Sequence, residues 1–308
     1  MAVSGHEVVV LSGGTGGAKL ARGMADVVGA EYLSVLVNTG DDIEIYGAHV
    51  SPDPDLVSFW LADTIDERGW GLRNDSFAVM DALRELGVEV WFNLGDRDLA
   101  WCLERARMLA EGLSPTAALA RLNEAIGVRA HVLPMSEDPV RTWVRTPAAG
   151  WCAFQEFMIR QRAAGPIEGL EYRGAERAAP SEHALAAIAA ARAIVIGPSN
   201  PLASVGPILS IGGIREALAQ ARAPVVAVSP VVGGAVLKGP TASFMDFAGL
   251  PCSAAGVADF YAPLLDGMIA DEHLEGLPSL CIETRMDDAE TRRRVAEQAL
   301  AFADSLTR

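Results

Sequence analysis

The chain has 308 residues, and its 40 acidic against 25 basic side chains give a formal charge of −15, a field that repels nucleic acid and anionic lipid. Half the residues are apolar, ample for a buried core, so disorder is excluded and one α/β unit over residues 1–308, with an inserted cover, is expected. Four dispersed cysteines, Cys102, Cys152, Cys252 and Cys281, read as buried thiols rather than zinc ligands or disulfides; with no signal segment and no run of about eighteen apolar residues, a cytoplasmic protein without a membrane partner is expected.

Continuous apolar runs predict strands at 8–12 (VVVLS), 34–38 (SVLVN), 88–92 (VEVWF), 131–134 (HVLP), 194–197 (IVIG) and 225–229 (VVAVS). Runs without alternation mark strands buried on both faces, so a mostly parallel sheet between helical layers follows, a Rossmann-like three-layer α/β/α arrangement with right-handed crossovers. Ligands of such sheets sit beyond the carboxyl ends of the strands.

After the first run comes LSGGTGGAKL, neither a Walker A sequence nor a G-x-G-x-x-G in register. Its bare backbone at Gly13, Gly14, Thr15 and Gly16, between a strand and a helix, points main-chain N–H groups at a phosphate or diphosphate. Lys19 either adds a charge there or snorkels along the surface. The second run ends in NTGDDIEIYGAHVSPDPD, which holds Asp41, Asp42, Glu44, Asp53 and Asp55 within residues 38–55. Carboxylates beside an anion site repel the ligand unless a cation intervenes, and Mg²⁺ held by Asp41, Asp42 and Asp55 is the expectation. In the alternative, these residues build turns and Asp55 caps the helix LVSFWLAD. Trp60 and Trp70 read as core, with stacking against a flat ligand as the other use of their rings.

NLGDRD (93–98) places Asn93 at a strand end and Asp98 in a helix's first turn. Ser114, followed by Pro115, is expected to cap the second helix of a pair over 96–126. Residues 140–163, with Arg141, Arg145, Arg160 and Arg162, complete a cover expected over about 96–180, and 165–180 reads as a surface connection. In GPSNPLASVGP (197–207), Ser199, Asn200 and Ser204 offer hydrogen bonds to a base edge or ribose, unless the segment is a structural loop. The last helix, about 287–306, reads as a solvated outer layer. Histidines 6, 49, 131, 183 and 273 show no ligand spacing, although His49 lies in the acidic segment, and neither a G-x-S-x-G elbow nor a Cys–His pairing is present.

SGGTGGAKL, NTGDD, SPDPD, GWGLRNDSF, LGDRD, LPMSEDPV, GPSNPLASVGPIL and SPVVGG, in that order over residues 8 to about 270, resemble the 2-phospho-L-lactate transferase family (CofD/FbiA type). The resemblance implies transfer of a phospho-acid unit from a guanosine-diphosphate-linked donor to the terminal ribityl hydroxyl of the deazaflavin Fo, with Mg²⁺ and release of GMP, in coenzyme F420 biosynthesis. It implies a GDP moiety on Gly13, Gly14, Thr15 and Gly16, helped by GPSNP, and Fo contacts at Asp55 and Asn93. The sequence departs from the family at Gly17 and Ala18, often threonine–proline; at Asn93, often lysine; and at SPVVGGAVLKGP, usually SPIIGN. Asp42 or Asp55 is the expected group to orient or deprotonate the acceptor hydroxyl. The acid carried, lactyl, enolpyruvyl or glyceryl, stays open, and a homodimer is the base-rate assembly. A noncatalytic regulator that binds nucleotide sugars is the alternative; it resembles relatives whose acidic segment reads D-D-G-G-S-S. An NAD-dependent dehydrogenase lacks its fingerprint here.

Overall fold

A computed structural model describes residues 7–236 and 239–306, so His6 lies outside the described residues. Seven strands form one all-parallel sheet: β1 (Val8–Ser12), β2 (Leu33–Val37), β3 (His131–Pro134), β4 (Ala193–Ile196), β5 (Val225–Val228), β6 (Gly267–Ala270) and β7 (Ser279–Cys281). Their spatial order is β7-β6-β5-β4-β1-β2-β3. The chain thus winds outward from β1 in one direction, then returns to β4 on its other side. That reversal opens a crevice at the carboxyl ends of β1 and β4, where such sheets hold ligands.

Period-two geometry explains why the strands read as unbroken apolar runs. Val9 and Leu11 of β1 enter a core on one face with Leu36, Ile194, Ile196 and Ala227. Val8 and Val10 enter the opposite core with Val35, Val195, Val226 and Ile269. That second face is covered by α1 (Gly14–Val28) and by the C-terminal helix Ala289–Ser305, which Asp288 caps by accepting from Thr291 N. The C-terminal helix is therefore not merely an outer layer, because Val295, Ala299 and Ala303 on one side of it are fully buried.

Three sequence expectations change. Residues 88–92 form no strand; Val90 and Phe92 pack into a third core while Trp91 and Phe92 line a cavity, so the run is apolar for reasons other than sheet burial. The cover is not one segment over 96–180, because β3 lies inside that range and pairs with β2. One insertion, between β2 and β3, carries α2 (Pro52–Leu61), α3 (Ala78–Glu85), α4 (Asp96–Ala110) and α5 (Pro115–Ala125) around Phe59, Met80 and Trp101. The other, between β3 and β4, is an antiparallel sheet of Arg141–Thr146, Gly150–Ala153 and Gly169–Arg173, so 165–180 holds a strand rather than only a connection. Arg141, Arg145 and Arg160 lie in this region in ion pairs with Glu44, Glu168 and Glu89. Ser114 does cap α5, accepting from Ala117 N at 3.2 Å. Of the cysteines, Cys102 and Cys152 are buried, Cys252 is half-buried and Cys281 is exposed.

The glycines opening α1 serve a close approach of two loops. A Cβ on Gly16 would run into the carbonyl oxygen of Pro198, and one on Gly17 would meet Ser199 Oγ at 2.7 Å. Residues 198–204 therefore lie directly on the first turn of α1. Gly16→Ala is expected to lower unfolding free energy by about 2 kcal/mol through overpacking against fixed backbone. Gly212→Ala, at an exposed glycine with nothing within 4 Å of the added carbon, is the neutral control. Urea unfolding of both variants measures this, and equal midpoints would contradict the packing argument.

Candidate active site

A cavity of about 930 Å³ opens at the carboxyl edge of the sheet. That size suits a small-molecule substrate. The first turn of α1, the 198–204 loop, and residues from both the β2–β3 insertion and the segments after β5 and β7 line it. Gly13, Gly14, Thr15, Gly16 and Lys19 all lie in its wall. Lys19 Nζ stands 6.0 Å from the centre of the Trp60 ring.

The amides of α1 are only partly bare. Asp53 Oδ1 accepts from Gly14 N at 2.6 Å, and Asp53 Oδ2 accepts from Asn38 Nδ2 at 2.9 Å. A carboxylate at a helix N-terminus is favoured by the helix dipole. Ser199 Oγ donates to Gly13 O at 2.6 Å and accepts from Gly13 N at 3.3 Å, so Ser199 ties the two loops together. Asn200 Oδ1 accepts from Leu202 N and Ala203 N, each at 3.0 Å, while Asn200 Nδ2 is buried with no hydrogen-bond partner. Asn200 Nδ2 and the cavity-lining Ser204 are the polar groups this loop offers to a ligand.

The acidic segment divides into groups with different fates. Asp41 lines the cavity, is buried, and has one oxygen, Oδ1, with no partner. Burial, the nearby Asp53 and Asp42 hold its carboxyl well above the usual range. Burial likewise pushes Asp53 up to about 6, against the lowering effect of its bonds from Gly14 and Asn38. Two desolvated acids and an orphaned oxygen form a hard donor set facing a helix N-terminus, and one or two carboxylates are what Mg²⁺ takes beside phosphate oxygens. The residues present fit that ion through Asp41 and Asp53.

Asp42 and Asp55, expected as ligands and as catalytic groups, have other partners. Asp42 lies outside the cavity wall, where it accepts from Ser51 Oγ at 2.7 Å and faces His49 Nε2 at 3.0 Å. Asp55 does line the cavity, but Arg105, fully buried, binds both of its oxygens as an ion pair, and Trp101 Nε1 donates to Oδ1 at 2.7 Å. That guanidinium already supplies Asp55 with the positive charge a cation would bring. Nor does Asp55 cap a helix, since α2 already starts at Pro52.

Asp98, in the first turn of α4, is the buried acid the sequence left unassigned. Burial, then the charges of Asp55 and Asp75, push it up to about 7. Its carboxylate lies near only a weak partner, the Cys102 thiol at 3.9 Å. Asp55, Asp98 and Cys102 converge closely enough to suggest a metal trio, but the Arg105 guanidinium already neutralises that corner. The signal for Asp53 was present in SPDPD, whose two acids point to different neighbours. No local pattern announces the burial of Arg105.

The wall near Asp98 is aromatic. Trp70 is 43% exposed, with the Arg68 guanidinium 4.4 Å from its ring centre, so Trp70 is a wall residue and not core. Trp60 is half-buried between two cores. Trp91 and Asn93 also line the cavity, and Asn93 Oδ1 accepts from Arg84 at 2.9 Å.

Residues 8–297 match the family profile described as 2-phospho-L-lactate transferase CofD. The chain belongs to this family. It is a transferase enzyme. The 2-phospho-L-lactate transferase of Methanosarcina mazei is 40% identical over 266 residues, 86% of this chain and 87% of that one. The phosphoenolpyruvate transferase of Kitasatospora aureofaciens is 40% identical over 319 residues, 97% of this chain and 98% of its own. A crystal structure of a UPF0052-family protein from Bacillus halodurans shares the fold, with a TM-score of 0.62 at 18% identity, covering 96% and 98% of the two chains.

The site's charge burden sets the transferase's stability against pH. Asp98 titrates near 7 in the folded state and at the ordinary 3.8 when unfolded. Its contribution is therefore full below about pH 4 and is lost as pH rises through about 7. Asp98→Asn does not titrate, so it is expected to exceed the wild type in unfolding free energy by about 2–4 kcal/mol near pH 8, the gap closing toward pH 4. Urea unfolding across that range measures it, and a gap independent of pH would contradict the buried-charge reading.

Proposed function

We propose that this transferase moves a phospho-acid unit, 2-phospholactate or its phosphoenolpyruvate or 3-phosphoglycerate counterpart, from a guanosine-diphosphate-linked donor to the terminal ribityl hydroxyl of Fo. GMP is released, and the step belongs to coenzyme F420 biosynthesis. The observation that carries the reading is the pair of buried acids, Asp41 and Asp53, set against the first turn of α1 in one large cavity. Relatives named for 2-phospho-L-lactate and for phosphoenolpyruvate are both 40% identical, which supports the transfer class and leaves the acid itself to the assay.

The chain's own groups have separable tasks. The first-turn amides of α1 at Thr15 and Gly16 receive phosphate oxygens. Asn200 Nδ2 and Ser204 hold polar atoms of the nucleotide. Asp41 and Asp53 would hold Mg²⁺, which would supply positive charge to offset that of the diphosphate. Trp70 and Trp91 take the flat tricyclic ring of Fo on an apolar wall, and Asn93 contacts its polar edge. The acceptor oxygen attacks phosphorus directly, so alignment replaces a covalent nucleophile.

Incubation with Fo, Mg²⁺ and each guanylylated donor in turn, followed by product mass and GMP release, tests the reading. One donor is expected to give GMP and an Fo adduct in equal amounts. Asp41→Asn and Asp53→Asn are each expected to slow that reaction roughly 10²-fold or more, by removing charge that holds the ion. Absence of GMP release from every donor would contradict the function.

A further inference from the structure

We propose that Asp98 is the catalytic residue that accepts the proton of the acceptor hydroxyl while that oxygen attacks the donor phosphorus. The inference deepens the transfer reaction proposed above and rests on it. The acceptor O–P bond forms as the bond from phosphorus to the GMP oxygen breaks. The electron pair of the broken bond leaves with GMP, and the hydroxyl proton moves to an Asp98 carboxylate oxygen, from which water removes it after product release.

The assignment follows from what each acid in the cavity wall is already doing. Among the described residues, Asp41, Asp53, Asp55, Asp98 and Asp287 line the cavity. Asp53 accepts one hydrogen bond on each oxygen, from Gly14 N and Asn38 Nδ2, and its remaining lone pairs are those proposed for the cation. Asp41 sits beside it, at the end of the cavity that receives the diphosphate. Asp55 is engaged by the buried Arg105 guanidinium and by Trp101 Nε1. Asp287 is 61% exposed at its side chain and ion-paired with Arg285 at 2.9 Å. Asp98 remains, 8% exposed, with its backbone N–H held by Asp75 Oδ2 at 3.0 Å. Its side chain approaches Gly71, a wall residue next to Trp70, on the aromatic side of the cavity.

The first turn of α2 fixes the spacing between the two ends. Asp53 and Asp55, two residues apart, point to different neighbours, one to α1 and the other to α4. Asp53, against α1, and Asp55, against the α4 that carries Asp98, are therefore joined by one helical turn within a single cavity wall. Every charged or titratable neighbour of Asp98 is in view: Asp55 from α2, Asp75 from the loop before α3, and Cys102 and Arg105 on α4 itself. Burial and the charges of Asp55 and Asp75 favour the protonated form. Arg105 opposes them, but its guanidinium is spent on Asp55, and the Cys102 thiol offers only a weak contact. A buried carboxyl raised toward neutral pH, lining the cavity beside an ion-paired neighbour, is suited to general-base chemistry.

Asp98→Asn and Asp98→Glu test the proposal with the donor that turns over, alongside calorimetric titration of GDP and fluorescence titration of Fo. For Asp98→Asn, kcat is expected to fall roughly 10²–10⁴-fold, the contribution of a positioned base. Binding of GDP and Fo should change no more than about threefold, because a carboxamide in place of the carboxyl preserves the shape of the site. The acidic limb of the wild-type rate profile, centred near pH 7, should disappear, and Asp98→Glu should recover part of the rate. A purely structural role would instead lower binding or stability without abolishing the limb. Retention of the limb, or of more than a tenth of the rate, in Asp98→Asn overturns the assignment while leaving the transfer reaction standing. Failure of the wild type to turn over any donor overturns the reaction and the assignment together.

Discussion

Negative charge buried at the carboxyl edge of the sheet is the constraint around which the site is built. Four aspartates, at positions 41, 53, 55 and 98, share a desolvated wall in a chain whose net charge is already −15. Each would be expensive to ionise in isolation. The fold resolves them in four ways. Asp53 takes a helix amide and the Asn38 side chain, and Asp55 takes a buried arginine. Asp98 is held near its protonated state by burial, and Asp41 keeps an oxygen with no protein partner. Asp41 neighbours Asp53, and Asp98 neighbours Asp55, the two acids of α2's first turn.

This arrangement explains the peculiar local sequences. PDPD starts a helix with proline at its first position and spaces two acids so that they face α1 and α4 separately. The glycines after β1 let residues 198–204 close onto α1, bringing Asn200 and Ser204 to the same cavity edge as Thr15 and Gly16. Arg105 does for Asp55, from within the chain, what the proposed cation would do for Asp41 and Asp53. The proposed reaction, which binds a diphosphate and deprotonates a hydroxyl within one cavity, would use both kinds of neutralisation, one fixed and one exchangeable.

The sheet was legible because burial on both faces leaves an unmistakable mark on composition, and five of the six predicted strands stand where VVVLS, SVLVN, HVLP, IVIG and VVAVS place them. VEVWF misled because an apolar run records burial and not pairing, and here the rings face a cavity and a small helical core. β6 and β7 were not predicted: GMIA opens on a glycine and holds one β-branched residue, and SLC is only 3 residues long. At the site, the glycine turn and the acidic segment were visible as types of residue. Which acids are already partnered was not, since Asp42 and Asp55 take their partners from elsewhere in the fold: His49 and Ser51 for one, Arg105 and Trp101 for the other.

Calorimetric titration of Mg²⁺ into the protein saturated with GDP tests the central claim most directly. One ion per chain is expected, with affinity rising roughly tenfold or more between about pH 5.5 and 7.5 as the buried acids lose protons to make room for it. Asp41→Asn combined with Asp53→Asn should abolish that binding, whereas Asp42→Asn should leave it in place. Mg²⁺ binding that survives the double substitution, or that is lost with Asp42 alone, would contradict the account.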